Sequence, residues 1–352
     1  MILVINAGSS SLKAAIFSRD LTQITAVSVS EIGGASTLRG AGPAIPIAAP
    51  THATAIEHIA QALTTQGHFS GPSPITAIAH RVVHGGAHLI APAVLTPAII
   101  AEIRACIPLA PLHNPANLAA IDALASLGLP QFASFDTAFH ATNPSLATTY
   151  ALPLAEREKG LRRYGFHGLS YASLIGQMTP LPELLLAFHL GNGASLCAIR
   201  NGQSVATSMG YSPLDGLTMG TRAGAIDPMA VLQLARDHGI QEADDLLTRH
   251  SGLKGLAGTN DMATLQARQD PEARFAIDHF CYWAARHAGS AISAMGGLNA
   301  VAFTGGIGEN APVIRDKIMA HLAWLGPKPV HIIPAQEERQ IARDALALLS
   351  VP

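Results

Sequence analysis

Three short segments rich in glycine, serine or asparagine each follow an apolar run that is typical of a buried strand. They are NAGSSS at 6–11, GNGAS at 191–195 and TGGIGEN at 304–310. Such turns present backbone N–H groups and hydroxyls, which bind anions such as phosphate without net basic charge. One turn of this kind alone is usually structural, because glycine and serine are ordinary turn residues. Three in one chain favour a phosphate site, although none matches the dinucleotide-binding or P-loop motif.

Two arginines lie beside glycines in surroundings that carry little other charge. Arg81 occurs in HRVVHGG at 80–86, and Arg222 occurs in MGTRAG at 219–224. A guanidinium is planar and always charged, so it suits a carboxylate or a phosphoryl group. Asp136 and His167 add a carboxylate and an imidazole, each between aromatic residues. Each of the four is also explained by a structural ion pair or a half-buried polar contact, so only their combination points to a site.

Metal and redox chemistry of the usual kinds receive little support. His80, His84 and His88 have a spacing of four residues, but the Gly85-Gly86 pair interrupts any helix between them, which disfavours a zinc site. The cysteines are widely separated, at 106, 197 and 281, and form neither a disulfide framework nor a CxxC pair. This cysteine usage indicates a reducing cytoplasm.

Composition excludes several classes of partner. The 352 residues are 49% hydrophobic and 13% charged, with 22 basic against 24 acidic groups and a net charge of −2. This charge balance holds no polyanion, so neither nucleic acid nor an acidic membrane surface is expected as a partner. No uncharged run reaches the length of a membrane span, and residues 2–5 indicate a first strand rather than a signal peptide. We expect a soluble protein of about two domains that binds a small molecule.

Short β-branched runs alternate with amphipathic stretches, which predicts an α/β architecture. Strands are predicted at 2–5, 14–17, 75–78, 184–190, 196–199 and 301–303, and helices at 52–63, after Pro312 and at 338–349. The last helix places Ile341, Ala345, Leu348 and Leu349 on one face. Residues 2–17 and 184–199 share one plan, a strand, a polar turn and a second apolar run, which suggests two related halves.

Eight segments resemble the acetate kinases and the related propionate kinases, and they occur in that family's order over nearly the whole chain. The segments are NAGSSSLK at 6–13, HRVVHGG at 80–86, APLHNP at 110–115, FDTAFH at 135–140, RYGFHG at 163–168, HLGNG at 189–193, MGTR at 219–222 and FTGGIGEN at 303–310. The resemblance implies a phosphotransferase that reversibly transfers the γ-phosphoryl group of ATP to acetate, and also to propionate, giving acyl phosphate and ADP.

The resemblance also implies the fold shared by acetate kinases, sugar kinases and actin-like ATPases, with two similar α/β domains and a central interdomain cleft. An N-terminal acyl kinase domain would span residues 1–141 together with a returning C-terminal helix at 334–352. A nucleotide-binding domain would span 142–333. Mg²⁺, ATP and a homodimer are implied as well.

Roles of individual residues follow from the same resemblance. Arg81 and Arg222 would hold the acetate carboxylate and the phosphoryl oxygens, and His167 would donate a further hydrogen bond. Asp136 would orient the arginines or assist the metal. Because an acyl carboxylate is already deprotonated at neutral pH, no general base is required.

The family pattern assigns three further groups. Asn6 and Glu337 would position Mg²⁺, with Glu338 as the alternative one residue along. The residues that would contact the substrate acid are Arg81, Val83, Leu112, Phe166 and Pro213. The residues that would contact the nucleotide are Lys13, His189, Leu190, Gly191, Asn192, Gly193, Asp261, Gly306, Ile307, Gly308, Glu309 and Asn310.

The chain departs from the family pattern on the nucleotide side. Ala263 stands where the family has an arginine two positions after the residue matching Asp261, and Ala225 stands where the family usually has an aspartate. We therefore expect weak discrimination between nucleoside bases. Two alternatives stay open, a catalytically weak nucleotide-binding protein of the same fold and a kinase for butyrate or branched acids.

Overall fold

The structure, a computed structural model, describes residues 1–8, 10–68 and 75–350. Ser9 of the first glycine-serine turn and the last two residues of the predicted N-terminal domain lie outside these ranges. The strands are β1 (Ile2–Ala7), β2 (Ser11–Phe17), β3 (Gln23–Ser30), β4 (Thr37–Arg39), β5 (Ile45–Pro46), β6 (Ala77–Val82), β7 (Ala93–Val94), β8 (Gln131–Phe135), β9 (Leu184–Leu190), β10 (Ala194–Arg200), β11 (Gln203–Thr207), β12 (Ala300–Thr304) and β13 (Val330–Ile332).

The α-helices are α1 (His52–Thr65), α2 (Pro97–Ala105), α3 (Asn114–Leu124), α4 (Ser145–Thr148), α5 (Leu154–Arg157), α6 (Gly168–Ile175), α7 (Pro228–His238), α8 (Ile240–Arg249), α9 (Gly252–Ala257), α10 (Met262–Ala267), α11 (Pro271–Met295), α12 (Gly305–Asn310), α13 (Pro312–His321) and α14 (Glu337–Leu349). None of the helices in the described ranges is both long enough and apolar enough to span a bilayer.

Two compact units divide the chain, Met1–Phe139 with Gln336–Pro352, and His140–Ala335. The first unit holds a sheet of order β5-β4-β3-β2-β1-β6-β8-β7, and the second holds one of order β11-β10-β9-β12-β13. In each sheet an antiparallel hairpin leads into two parallel neighbours, β6 and β8 in the first and β12 and β13 in the second. The shared five-strand order confirms the prediction of two similar α/β halves.

Successive side chains along the strands of the first unit point to opposite faces of the sheet, one facing the core and one carrying polar residues. Leu3, Ile5 and Ala7 of β1 belong to a core with α1 and α3. Asn6 therefore faces the opposite side of the sheet, where α14 packs across β1, β6 and β8. Arg81 of β6 lies on the same side, since its neighbour Val82 is buried in the core that includes α3. The α14 side of the sheet thus gathers the polar residues.

Several predicted elements differ in detail from the structure. The strand predicted at 75–78 begins at Ala77 and continues to Val82, so that it ends beyond Arg81. The last helix begins one residue early, at Glu337, and Leu349 on its predicted apolar face is 42% exposed. That position is the last residue of the helix, and the residues of this helix that are buried are Ile341, Ala342 and Ala345.

The third polar segment was predicted as a turn, and this prediction is wrong: residues 305–310 form α12 directly after β12. The Glu309 carboxylate accepts a hydrogen bond from the Gly305 N–H at 3.0 Å, which satisfies one of the free donors at the start of the helix. Gly305 has a φ of +81°, and a Cβ there would lie 2.8 Å from the Leu190 carbonyl oxygen. Only glycine allows the chain to pass so close to β9.

Helix α11 supports the sheet of the second unit. It is capped by Asp270, whose carboxylate accepts from the Ala273 N–H at 3.0 Å, and it ends at Gly296 with φ +82°. Its buried side chains are mostly alanines, which let it pack closely against β9, β10 and β11. This backing fixes the β9–β10 hairpin, whose tip carries the second polar turn.

Candidate functional site

Arg81 is held by two partners at the carboxyl ends of three parallel strands. Its Nε donates to both oxygens of Asp136 at 3.1 Å, its Nη2 donates to Asp136 Oδ2 at 2.5 Å, and its Nη1 donates to Asn6 Oδ1 at 3.1 Å. Asp136 is 2% exposed, and its N–H continues the strand pairing by donating to the Val82 carbonyl at 3.0 Å. A guanidinium group that is hydrogen-bonded by Asp136 and by Asn6 is held in one orientation. The structure therefore brings together Asn6, Arg81 and Asp136.

The first turn of α14 adds two carboxylates to this group. Glu338 Oε1 accepts from Asn6 Nδ2 at 3.1 Å and lies 3.6 Å from Lys13 Nζ. Burial raises the pKa of Glu337, as does the charge of Glu338, while Arg81 opposes the shift. Burial disfavours the charge of Arg81, but Asp136, Glu337 and Glu338 outweigh it and raise the pKa of the guanidinium. We call Asn6, Arg81, Asp136, Glu337 and Glu338 the Arg81 cluster.

The Arg81 cluster fits a magnesium ion. An amide oxygen and carboxylates are the hard donors that Mg²⁺ takes in proteins, usually one or two together with water and substrate phosphates. Glu337 is half-buried and the pKa of its carboxyl is raised by desolvation, so a cation beside it would favour its charged form. No group of three histidine, cysteine or acidic side chains in the described ranges is placed to hold a metal. Water and phosphate oxygens would therefore complete the coordination.

In the second unit, His167 and Arg222 approach one point, the backbone of Gly193. A Cβ on Gly193 would lie 3.2 Å from His167 Nε2 and 3.5 Å from Arg222 Nη1. His167 has φ 59°, immediately before α6, and its ring lies over that of His189 at 4.2 Å between centroids. We call His167, Arg222 and Gly193 the His167 cluster. An imidazole and a guanidinium beside a bare glycine backbone can both donate to one small anion.

The loop that carries Arg222 is packed on the tip of the β9–β10 hairpin. Arg222 Nη1 donates to the Pro213 carbonyl at 3.2 Å. The Gly220 N–H donates to the Asn192 carbonyl at 2.9 Å, and a Cβ on Gly220 would lie 2.0 Å from Asn192 Oδ1. Glycine at this position allows the loop to lie against the hairpin, so the predicted nucleotide-binding turn and Arg222 are held together.

The remaining predicted nucleotide residues take varied positions. The Asp261 carboxylate caps α10 by accepting from the backbone N–H groups of Ala263 and Thr264 at 3.3 and 3.0 Å. Asn192 is exposed and accepts from Asn260 Nδ2 at 2.9 Å. Asp261 is thus engaged in supporting a helix, and Ala263 adds only a methyl group beside it.

The polar side chains of Glu309 and Asn310 in helix α12 form hydrogen bonds to nearby backbone groups. Glu309 Oε1 accepts from the N–H groups of Gly305 and Ala335, both at 3.0 Å. Asn310 Nδ2 donates to the Gly306 carbonyl at 2.9 Å. The exposed residues of the predicted set are Lys13, Asn192, Asp261, Gly306 and Asn310; the partly buried ones are His189, Gly191, Gly193, Ile307 and Glu309; the buried ones are Leu190 and Gly308.

The residues predicted to surround the substrate acid differ in exposure. Val83 is 4% exposed in the first unit, and its N–H donates to Asn117 Oδ1 at 3.0 Å. Leu112, in the same unit, is 44% exposed. In the second unit Phe166 is 1% exposed, and Pro213 contributes the carbonyl that holds Arg222.

Sequence reasoning missed the residues that hold the two stacked histidines. Ser195 Oγ lies 2.9 Å from His167 Nδ1, and Tyr171 Oη lies 2.5 Å from Ser195 Oγ. Ser170 Oγ lies 2.7 Å from His189 Nδ1. The spacing contained a signal for part of this, because Tyr171 is four residues after His167 along the direction of α6. The local sequence does not predict that Ser195 pairs with His189 across strands β10 and β9.

Known proteins resemble this chain over almost its whole length. Residues 1–343 match the profile of the acetokinase family. An acetate kinase from Methylocella silvestris is 39% identical, and the match covers 99% of this chain and 98% of the relative. A propionate kinase structure from Francisella tularensis superposes with a TM-score of 0.91 at 34% identity, covering 97% and 98% of the two chains. The Porphyromonas gingivalis acetate kinase structure superposes with a TM-score of 0.90 at 32% identity, covering 99% of each. The chain belongs to the acetokinase family.

Proposed function

We propose that this protein is an acetate kinase, which reversibly transfers the γ-phosphoryl group of ATP to acetate, and also to propionate, giving acyl phosphate and ADP. The observation that carries the proposal is the orientation of Arg81 by Asp136 and Asn6 in a chain that belongs to the acetokinase family. A fixed, partly exposed guanidinium is the group expected to bind a carboxylate in a defined orientation.

The chemistry requires positioning and charge neutralisation more than proton transfer. Arg81 binds the carboxylate of the acid, and Arg222 and His167 donate to the oxygens of the transferring phosphoryl group. The acid enters as its carboxylate, so no side chain has to remove a proton. Asp136 acts by holding Arg81, since its carboxylate already accepts from that guanidinium.

The nucleotide phosphates and the magnesium ion are bound by different residues in this proposal. The hairpin tip at 191–193 and the backbone of α12 bind the phosphates of ATP, with His189 and Lys13 contributing side chains. Asn6 and Glu337 hold Mg²⁺, and Glu338 steadies Asn6. When bound, the ion neutralises phosphate charge and draws the phosphates into one orientation. Asp261 acts indirectly, through the start of α10.

The two units take different parts in this proposal. Residues 1–141 with 334–352 form the acyl kinase domain, and residues 142–333 form the nucleotide-binding domain. The apolar residues that the family pattern assigns to the acid are Val83, Leu112, Phe166 and Pro213. A small apolar lining discriminates by about 1–3 kcal/mol per methylene, so acetate and propionate are both substrates.

We further propose a homodimer in a reducing cytoplasm. Helix α7 buries none of its side chains in the described protomer, and Ile226, Met229, Leu232 and Ile240 around it are 41–83% exposed. A subunit interface would cover large exposed apolar side chains of this kind. All three cysteines are buried and free, which suits reducing conditions. Light scattering on a sizing column measures the mass and tests the dimer.

Acyl hydroxamate formation from acids of two to five carbons, with ATP and Mg²⁺, tests the reaction. We expect acetate and propionate to react, longer acids to react poorly, and Arg222→Ala to reduce turnover. A preference for acids of four or five carbons would favour the butyrate-kinase alternative. Nucleotide binding without turnover would favour the catalytically weak alternative.

A further inference from the structure

A chain of buried hydroxyl groups ends on His167. Tyr171 and Ser195 are both 0% exposed. Tyr171 Oη lies 2.5 Å from Ser195 Oγ, which in turn lies 2.9 Å from His167 Nδ1. The far ring nitrogen, Nε2, is the atom that lies toward Gly193 and Arg222. The buried Ser195 hydroxyl thus contacts the nitrogen of His167 that faces away from the predicted phosphate position, and the buried Tyr171 hydroxyl contacts Ser195.

The far end of this chain is the Tyr171 phenol, whose oxygen lies 2.5 Å from Ser195 Oγ. Burial raises the pKa of the Tyr171 phenol well above its ordinary value, so the phenol keeps its proton. A protonated phenol at this distance can donate its proton to the Ser195 hydroxyl. The Ser195 hydroxyl then has its own proton to donate to His167 Nδ1.

We propose that Ser195 and Tyr171 are positioning residues that hold His167 as the neutral tautomer with its proton on Nε2. Nδ1 accepts from Ser195, so the ring proton resides on Nε2, on the side of Gly193 and Arg222. A neutral imidazole supplies a hydrogen-bond donor beside the guanidinium without adding a second positive charge. The proposal rests on the proposed function only in assigning a phosphoryl oxygen as the acceptor.

Nitrogen-15 NMR on full-length protein labelled in histidine measures the tautomer directly, without substrate. The His167 signals are assigned by their loss in His167→Gln. In the wild-type protein we expect a protonated Nε2 and an unprotonated Nδ1. Ser195→Ala should produce a mixture of tautomers and lower kcat by about 10- to 100-fold, the usual loss when a group that orients a functional histidine is removed. KM should change by less than about threefold.

Two further variants separate positioning from simple damage to the core. Tyr171→Phe leaves the Ser195 hydroxyl free to accept instead of donate, so we expect a partial mixture and a smaller fall in kcat. Ser204→Ala is the matched control, because Ser204 is also buried and its Oγ lies 2.9 Å from the Nδ1 of another histidine, His140. Its His167 signals should match the wild type, with kcat within about twofold.

The outcomes are distinct. A wild-type His167 protonated on Nδ1 overturns the proposal, and so does an unchanged His167 spectrum in Ser195→Ala. Where Ser195→Ala does not fold, Tyr171→Phe decides: a wild-type spectrum and wild-type kcat in that variant overturn the proposal. If the wild-type enzyme phosphorylates no short-chain acid, the proposed function fails while the NMR result still reports the tautomer.

Discussion

Replacing Asp136 by asparagine tests whether the ion pair with Arg81 both stabilises the first unit and orients the guanidinium. The variant keeps the shape of the side chain but removes its charge, and one amide nitrogen must then face a guanidinium N–H. Removing one partner of a buried ion pair costs about 3–5 kcal/mol. The Arg81 side chain is 21% exposed, and Glu337 and Glu338 also act on its charge, so we expect a smaller loss than for a fully buried pair, about 2–3 kcal/mol.

Urea unfolding followed by circular dichroism measures this loss. With an m value of about 2–3 kcal/mol/M, the midpoint should fall by about 1 M. Hydrogen exchange of peptides from β6 and β8 should show that the loss lies in the first unit. Asp122→Asn is the matched control: Asp122 pairs with Arg104 at 3.5 Å, but both side chains are more than half exposed, and such pairs contribute about 0–1 kcal/mol.

The same variant should change the kinetic constants for the acid substrate, because Asp136 acts through Arg81. We expect kcat/KM for acetate to fall by at least about a hundredfold, with a smaller change in the KM for ATP. In a double-mutant cycle, Arg81→Ala with Asp136→Asn should lose little more than Arg81→Ala alone, because the two side chains act as one unit. An Asp136→Asn protein with a wild-type midpoint and a wild-type acetate KM would refute this account of the Arg81 cluster.

Four further predictions concern Arg222, Val83, Glu337 and Ala263. Arg222→Ala should lower kcat by about 10²- to 10³-fold with little change in stability, the size expected for one transition-state donor, and a variant retaining more than half of the wild-type kcat would contradict its role. Val83→Ala should shift selectivity toward longer acids by about 1 kcal/mol, and unchanged acetate-to-propionate selectivity would remove Val83 from the acid site. Because the pKa of Glu337 is raised in the fold, its contribution to stability is present at low pH and lost as the pH rises through that raised pKa. Glu337→Gln should therefore unfold at higher urea than the wild type at neutral pH while losing Mg²⁺-dependent turnover, and equal midpoints would contradict the assignment. GTP should be used within about tenfold of ATP, about 1.4 kcal/mol, because Ala263 offers the base only a methyl group; a hundredfold lead for ATP in kcat/KM would show that another side chain compensates.

Much of the fold was predictable because its strands are short, apolar and bounded by turn residues. The strand predicted at 184–190 has those bounds in the structure, and the helix predicted at 52–63 runs over His52–Thr65. The third polar segment was misread as a turn, because glycines at 305, 306 and 308 normally favour turns. Its helix depends on Glu309 reaching back to the Gly305 N–H and on close packing against β9, which local propensity does not contain.

Residue type singled out candidates for the site without fixing their contacts. Arg81 and Asp136 were singled out because each is charged in a segment with little other charge, and the structure places the two side chains in contact. Ser195 and Tyr171 were missed, since their role arises only when a strand pairing places Ser195 opposite His189 and a helix carries Tyr171 back to it. Contacts of this kind join residues that are 24 positions apart in the chain.

Topology explains why the candidate residues of each unit gather at one edge. Strands β1, β6 and β8 run parallel, so the residues near or just after their carboxyl ends, Asn6, Arg81 and Asp136, share an edge of the first sheet. In the second unit β9 runs parallel to β12, and the hairpin tip at 191–193 and the start of α12 follow their carboxyl ends. Open α/β sheets bind ligands outside these ends, because loops and helix starts converge there. Since both sheets share one strand order, each unit can bind one part of the substrates with the same arrangement, and the difference between them lies in side chains: carboxylates and Arg81 in the first unit, glycine backbone, His167 and Arg222 in the second.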